Sequence, residues 1–171
     1  MKKLFLSLLI IMSGIVAAHA QKFALIDMEF ILKQIPSYEQ ANKQMETLSK
    51  QWQAEVEAKS KEAKALYEAY QKSASGLSTE QRTAKEEEII AKEKEAAELR
   101  QTYFGPQGEA MKKRQELISP IQDAIYNAVK EIATQKGYDA VIDRASAQSM
   151  IFASPRIDIS NEVLLKLGYS K

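Results

Sequence analysis

Between Ala41 and Tyr70, apolar side chains recur with spacings of four, three and four, at Ala41, Met45, Leu48, Trp52, Val56, Ala63, Tyr67 and Tyr70. Lys59 is the one polar residue on that track, and Glu, Lys, Gln and Ser fill most positions between. An eleven-residue period turns at about 3.67 residues per turn, which favours a straight or slightly right-handed helix pair over a heptad supercoil. The tract therefore predicts a helix with one apolar seam. At about 1.5 Å per residue, a helix from Tyr38 to Ser75 extends roughly 57 Å. A domain of this size cannot contain such a rod, so the rod must project as an arm.

The ends of the arm carry their own signals. Ser37-Tyr38-Glu39-Gln40 fits a capping box with Ser37 as N-cap, after Pro36 has interrupted a short helical turn over Met28 to Gln34. Ser73 to Ser78 breaks the period, with Gly76 as the expected turn residue, and Ser78-Thr79-Glu80-Gln81 is a second capping box. A returning helix follows to Lys136, closed by Gly137. Its seam is weak at first (Ile89 or Ile90, Ala96 or Ala97, Leu99, Tyr103) and then a firm heptad: Met111, Ile118, Ile121, Ile125, Ala128, Ile132. A short loop between long helices implies an antiparallel hairpin. Reflection about residues 76–77 sets Tyr70 near Thr83, Val56 near Ala97 and Trp52 near Gln101. Gly105-Pro106-Gln107-Gly108 should break the returning helix, and Gly105 and Pro106 are candidate hinge residues; Pro120 should disturb it more mildly.

Outside the arm the pattern changes. Residues 22–28 (Lys-Phe-Ala-Leu-Ile-Asp-Met) read as a strand covered on both faces, and 138–144 and 148–153 as two more joined by a short turn. Ser160 is expected to cap a last helix from Asn161 to Leu167, closed by Gly168. The expected class is α+β: a long antiparallel helical hairpin on a small three-stranded body. The body comprises 21–36 and 118–171, and the arm 37–117. Three short strands are too little for a private core. Phe23, Leu25, Val141, Ile142, Ile151 and Phe152 are therefore expected to drive self-association.

Lys2 and Lys3, the apolar run Leu4 to Ile11 and Ala18-His19-Ala20 form a secretory signal, with cleavage expected before Gln21 and export as the consequence. Without residues 1–20 the chain has 151 residues, 22 basic and 23 acidic, and neither Cys nor His, because His19 departs with the signal. Those two absences exclude thiol or imidazole catalysis, disulfides and His/Cys metal sites, so no cofactor or metal is expected. A net charge near zero argues against nucleic acid as partner. Asp27, Asp139, Asp143 and Asp158 are the one acidic group that resembles a catalytic or metal cluster, and such residues more often cap or terminate strands. The expectation is not an enzyme.

Several motifs together resemble the Skp/OmpH family of periplasmic chaperones. They are Ile118-Ser119-Pro120-Ile121 with Ala128-Val129-Lys130-Glu131-Ile132-Ala133, Lys136-Gly137-Tyr138-Asp139-Ala140-Val141-Ile142-Asp143, and the closing pattern from Pro155 through Asp158-Ile159-Ser160, Val163-Leu164 and Leu167-Gly168. At the front, Ala24-Leu25-Ile26-Asp27 resembles the family's first strand, and Leu77-Ser78 with Glu80-Gln81-Arg82 its arm tip. The resemblance implies a homotrimer whose strands close into a β-barrel, with three arms around a cavity that holds unfolded outer-membrane proteins in the periplasm without ATP. An adaptor coiled coil for a defined folded partner is the alternative. The family's arms are strongly basic, whereas residues 37–104 carry 11 basic and 13 acidic residues. Lipopolysaccharide binding is therefore not carried over, although Lys112-Lys113-Arg114 forms a basic run. With little charge to attract clients, binding is assigned to apolar and aromatic arm residues: Met45, Trp52, Leu66, Tyr67 and Leu77.

Overall fold

A computed structural model describes residues 21–147 and 149–169; the predicted signal peptide, residues 1–20, lies outside the described residues. The order is β1 (Phe23–Ile26), α1 (Met28–Lys33), α2 (Pro36–Ser73), a 3-10 turn (Ala74–Gly76), α3 (Thr79–Phe104), α4 (Glu109–Lys136), β2 (Ala140–Asp143), a second 3-10 turn (Pro155–Ile157) and α5 (Ser160–Lys166). The single 38-residue helix α2 is one rail of the arm, and α3 with α4 form the other.

The start of α2 differs from the expected capping box at Ser37. Pro36 occupies the first helical turn and Ile35 is the N-cap, with no side-chain capping bond. A proline at this place has its φ preset and lacks an N–H that the helix could not use, so it starts α2 two residues earlier than a Ser37 cap allows. The Ser78 box does form: Ser78 Oγ accepts from Gln81 N (3.2 Å) and Gln81 Oε1 from Ser78 N (3.0 Å). Gly76 has negative φ and open space where a Cβ would stand, so the tip turn does not depend on glycine. Gly137 does depend on it, closing α4 in the left-handed region at φ 66°. Pro120 leaves α4 continuous from Glu109 to Lys136.

Among the described residues the sheet has two strands, not the expected three. β1 and β2 run parallel, in register from Phe23↔Ala140 to Ile26↔Asp143. A parallel pair needs a long crossover connection, and the whole arm serves as one. Beside β1, the chain near Asp158 makes a single bridge to Leu25, with Ile159 N donating to Leu25 O at 2.8 Å. Residues 149–153 form no strand; residue 148 lies outside the described residues. A strand is held by ladder bonds and by cover on at least one face. One copy of the chain offers this segment neither, and Ile151 is 100% and Phe152 82% exposed.

Pairing sets the two faces of the sheet. Ala24 and Ile26 turn inward to a core of Ile31, Leu32, Ile35, Ile125, Ala128, Ile132, Ile159, Val163 and Leu164, and Val141 packs against it. Phe23, Leu25 and Ile142 lie on the opposite face by the alternation of strands. Leu25 is nevertheless buried, whereas Phe23 and Ile142 are substantially exposed.

The four aspartates join the parts of this body, in keeping with a capping role. Asp27 caps α1 through Phe30 N (2.8 Å), and Asp139 accepts from Lys22 N (2.8 Å). Asp143 accepts from Met28 N (3.1 Å). Asp158 accepts from the N–H and the hydroxyl of Ser160 (2.9 and 2.6 Å). Ser160 is thus not the N-cap of α5. It is buried in the first turn, where its Oγ accepts from Asp27 N at 2.8 Å. Arg144 lies between Asp27 (Nη2, 2.9 Å) and Asp158 (Nη1, 3.2 Å). The Phe30 N–H, and the Arg144 guanidinium after it, hold the Asp27 carboxyl below its ordinary range.

Candidate functional site

The arm is the feature that a small two-stranded body does not explain, and its surface depends on how α2 and α3 pair. Tyr70 donates to Glu86, Tyr103 donates to Glu55, and Lys59 pairs with Glu95 at 2.7 Å. These partners lie one to five residues beyond the simple reflection, about three on average. The 3-10 turn and Leu77 lengthen the tip, moving the fold point from 76–77 toward 78.

Along the seam, Ala41, Val56 and Ala63 on α2 are buried, as are Ile89 and Ala96 on α3. Three of these five are alanines, so the seam covers little apolar area. Lys59 breaks the apolar track because it belongs to an ion group across the hairpin. Besides Glu95 it approaches Glu62 (3.8 Å), and Lys92 approaches Glu95 (3.0 Å) and Glu62 (3.9 Å). The Glu95 hydrogen bond, reinforced by the field of Glu62, raises the Lys59 ammonium above the usual lysine range. Hydrogen bonds from Lys59 and then Lys92 lower Glu95.

Nearer the body, Trp52 stacks on Tyr103 (centroids 5.3 Å, 18°) and meets Phe104 edge-on (6.4 Å, 81°). This group fastens the end of α3 to α2 immediately before the break. A Cβ on Gly105 would run into the Gln101 carbonyl, and one on Gly108 would come within 2.7 Å of the Tyr103 carbonyl. Both glycines are present for close approach, since their φ values are ordinary (−65° and −73°). The opposite rail, α2, passes the break without interruption.

The proposed client residues are spread along the arm and do not converge on one pocket. Met45, Trp52, Leu66 and Leu77 are half-buried, and Tyr67 is 47% exposed. Phe104 and Ile90 are also exposed large apolar residues, neither of which the seam reading assigns to a client surface. Their signal was present: each directly follows a seam candidate, Tyr103 and Ile89, so one of each pair has to face outward. Met111, assigned to the heptad, is 55% exposed. In the basic run, Lys112 pairs with Glu109 (2.9 Å) and Lys113 with Glu116 (2.8 Å), which removes most of its positive field. Among the described residues no acidic or His/Cys group is arranged to hold a metal ion, and no helix is long and apolar enough to cross a membrane.

Residues 22–167, which include both strands and the whole arm, match the family described as outer membrane protein (OmpH-like). The chain belongs to this family. It is 30% identical over 149 residues to the chaperone protein Skp of Photorhabdus laumondii, covering 86% of each chain. To the chaperone protein Skp of Yersinia enterocolitica it is 29% identical over 150 residues, covering 86% of this chain and 87% of that one. A putative outer membrane chaperone (OmpH-like) from Caulobacter crescentus shares the fold, with a TM-score of 0.65 at 14% identity over 90% of this chain and 88% of that chain. The relatives are thus named as chaperones, and the helical hairpin of this chain fits a coiled-coil arm.

The arm's ionic contacts give a pH dependence with a definite sign. Glu95 is lowered in the folded arm, so its contribution is present above the ordinary value of 4.5 and is lost as pH falls through the folded value. Lys59, Tyr70 and Tyr103 are raised, so their contributions are present below 10.5, 10.0 and 10.0 respectively and are lost as pH rises through the folded values. Trp52 is the only tryptophan and lies in the arm, so it reports on this pairing alone. Its emission is expected to stay constant between about pH 5 and 9 and to shift outside that window. A flat profile from about pH 3 to 11 would show that these contacts do not hold the hairpin.

Proposed function

We propose that this protein is an ATP-independent periplasmic holdase, exported by cleavage before Gln21. It binds unfolded outer-membrane proteins between helical arms and keeps them from aggregating. The observation that carries this reading is the match to proteins named as Skp chaperones along nearly the whole chain, arm included. A holdase without nucleotide acts by binding unfolded and not native chains, which lowers the free unfolded concentration by mass action. Assembly is as a homotrimer, in which Phe23, Ile142, Ile151 and Phe152 supply apolar surface for neighbouring copies and Leu25 lies beneath them.

Met45, Leu66, Tyr67 and Leu77 contact clients, together with the edge of Trp52 that Tyr103 and Phe104 leave open. Each site is weak, and their spread along the arm makes the sum useful. The break at Gly105 and Pro106 acts as a hinge that fits the cavity to clients of different size. Burial at about 25 cal/mol per Å² is the main source of affinity, because exposed ion pairs are worth at most about 1 kcal/mol and are screened by salt.

The test dilutes several unrelated urea-unfolded β-barrel proteins into buffer with the purified protein. They are expected to stay soluble, while their folded forms go unbound. Client affinity is expected to change little between low salt and about 0.5 M NaCl. A steep loss with salt would place the binding energy in charge, and stoichiometric binding to one folded protein would favour an adaptor.

A further inference from the structure

The seam does not account for an open groove of about 450 Å³ on one side of the hairpin, with Ala63 and Tyr67 of α2 and Ala96, Ala97 and Arg100 of α3 among its lining. Its floor is alanine and Tyr67 stands at its side. Beyond the groove the same face of α3 carries Ile90 and Phe104, seven residues before and after Ala97. Ile90, Ala97 and Phe104 are all exposed. They make a row of apolar points spaced about 10.5 Å apart along α3.

The residues between these points identify the occupant. A partner helix needs apolar side chains at both heptad core positions, yet the intervening places are Glu93, Lys94, Arg100 and Gln101. A second copy of the arm is thus a poor fit. A polyproline II-like segment, the extended form common in unfolded chains, has three residues per turn and advances about 3.1 Å per residue, so every third side chain shares a face and three residues span about 9.3 Å, close to two turns of α3. Every third side chain of such a segment can meet Ile90, the alanine floor and Phe104 in turn, with its backbone beside the polar residues between them. Arg100 makes no ion pair among the described residues, while Lys64 is only loosely engaged by Glu68 (3.7 Å). With Glu93 also on the lining, the two cations still outnumber the acids there, so the rim favours a segment that carries a carboxylate.

We propose that this face of α3, centred on Ala97, is a docking groove for an extended non-native segment with bulky apolar side chains at every third position and an acidic residue among them. This rests on the reading of the protein as a binder of unfolded chains, and it moves the main contact from the seam to the outer row.

The probes are two labelled peptides of identical composition and net negative charge, one with Phe at every third position and one with the same Phe residues at alternate positions. The first is expected to bind tighter by anisotropy, and Ala97→Glu should weaken it about tenfold. Arg100→Gln should weaken it less, and Ala58→Glu, on an exposed position of α2 outside the groove, should leave it unchanged. Far-UV circular dichroism and Trp52 emission check that each variant keeps its arm. Equal affinity for the two peptides, or an unaffected Ala97→Glu, would overturn the proposal. A fall in oligomeric mass on Ala97→Glu would also overturn it, by showing a second copy in the groove. Retention of holdase activity by Ala97→Glu rejects the groove and leaves the holdase reading standing. Failure of the unchanged protein to hold unfolded barrels rejects that reading instead.

Discussion

Replacing Ile151 and Phe152 together by Asp is expected to convert a species sedimenting at about three chain masses into a single chain that keeps its helical signal. Neither side chain is covered by its own chain, at 100% and 82% exposed, so the substitutions remove nothing from the core. They place two carboxylates on the most apolar uncovered segment of the body, beside a sheet face that also exposes Phe23 and Ile142. In an assembly those charges would be desolvated without partners, which costs several kcal/mol per ion. Val141→Asp is a poorer probe, since Val141 pairs with Ala24 and packs on the core, and its loss would unfold the body along with the assembly. Ultracentrifugation at micromolar concentration decides the matter. A variant that still sediments as a trimer places the interface elsewhere.

Ile125→Ala is expected to destabilise the body by about 2–5 kcal/mol, a large fraction of the stability of a small domain. Ile125 is 0% exposed, and its cluster joins α1, α4, α5 and the inner face of β1. Neighbours drawn from four elements cannot all relax into the space left, so most of the cavity term persists. Met111 is a fair contrast: the heptad places it on the same stripe, yet it is largely exposed, and Met111→Ala should cost less than about 0.5 kcal/mol. Thermal unfolding followed at 222 nm measures both. Similar shifts for the two variants would show that the core does not lie where the burial puts it.

The difference between these two methionine and isoleucine positions shows where periodicity stops being informative. The heptad in α4 is a local pattern, and from Ile121 to Ile132 it has partners because α1, α5 and β1 are folded against that half. Toward Met111 the helix leaves the body, and the same spacing faces water. Trp52 shows the reverse case. Its place in the seam was legible, but its stacking on Tyr103 depended on a fold point set by the 3-10 turn at the tip. A shift of about three residues in a hairpin changes every cross-arm partner. Lys59 looked like a flaw in the repeat and proved to be the centre of an ion group whose acids lie on both helices.

The sequence by itself determined the elements whose causes are local: the long α2, the Ser78 capping box, the break at Gly105 to Gly108, the closure at Gly137, and the strands β1 and β2. Each follows from side-chain periodicity, a capping hydroxyl or a missing Cβ within a few residues of where it acts. Only the tertiary structure decided what depends on distant neighbours. The parallel pairing of β1 with β2 is closed by the arm as its crossover, and Arg144 is held between Asp27 and Asp158 across more than a hundred residues of chain. Residues 149–153 have strand-forming composition, yet they form no strand, because ladder bonds and cover must come from another segment and one chain supplies none. Local chemistry sets where a helix or strand can begin and end, and long-range packing decides which of those segments find a partner.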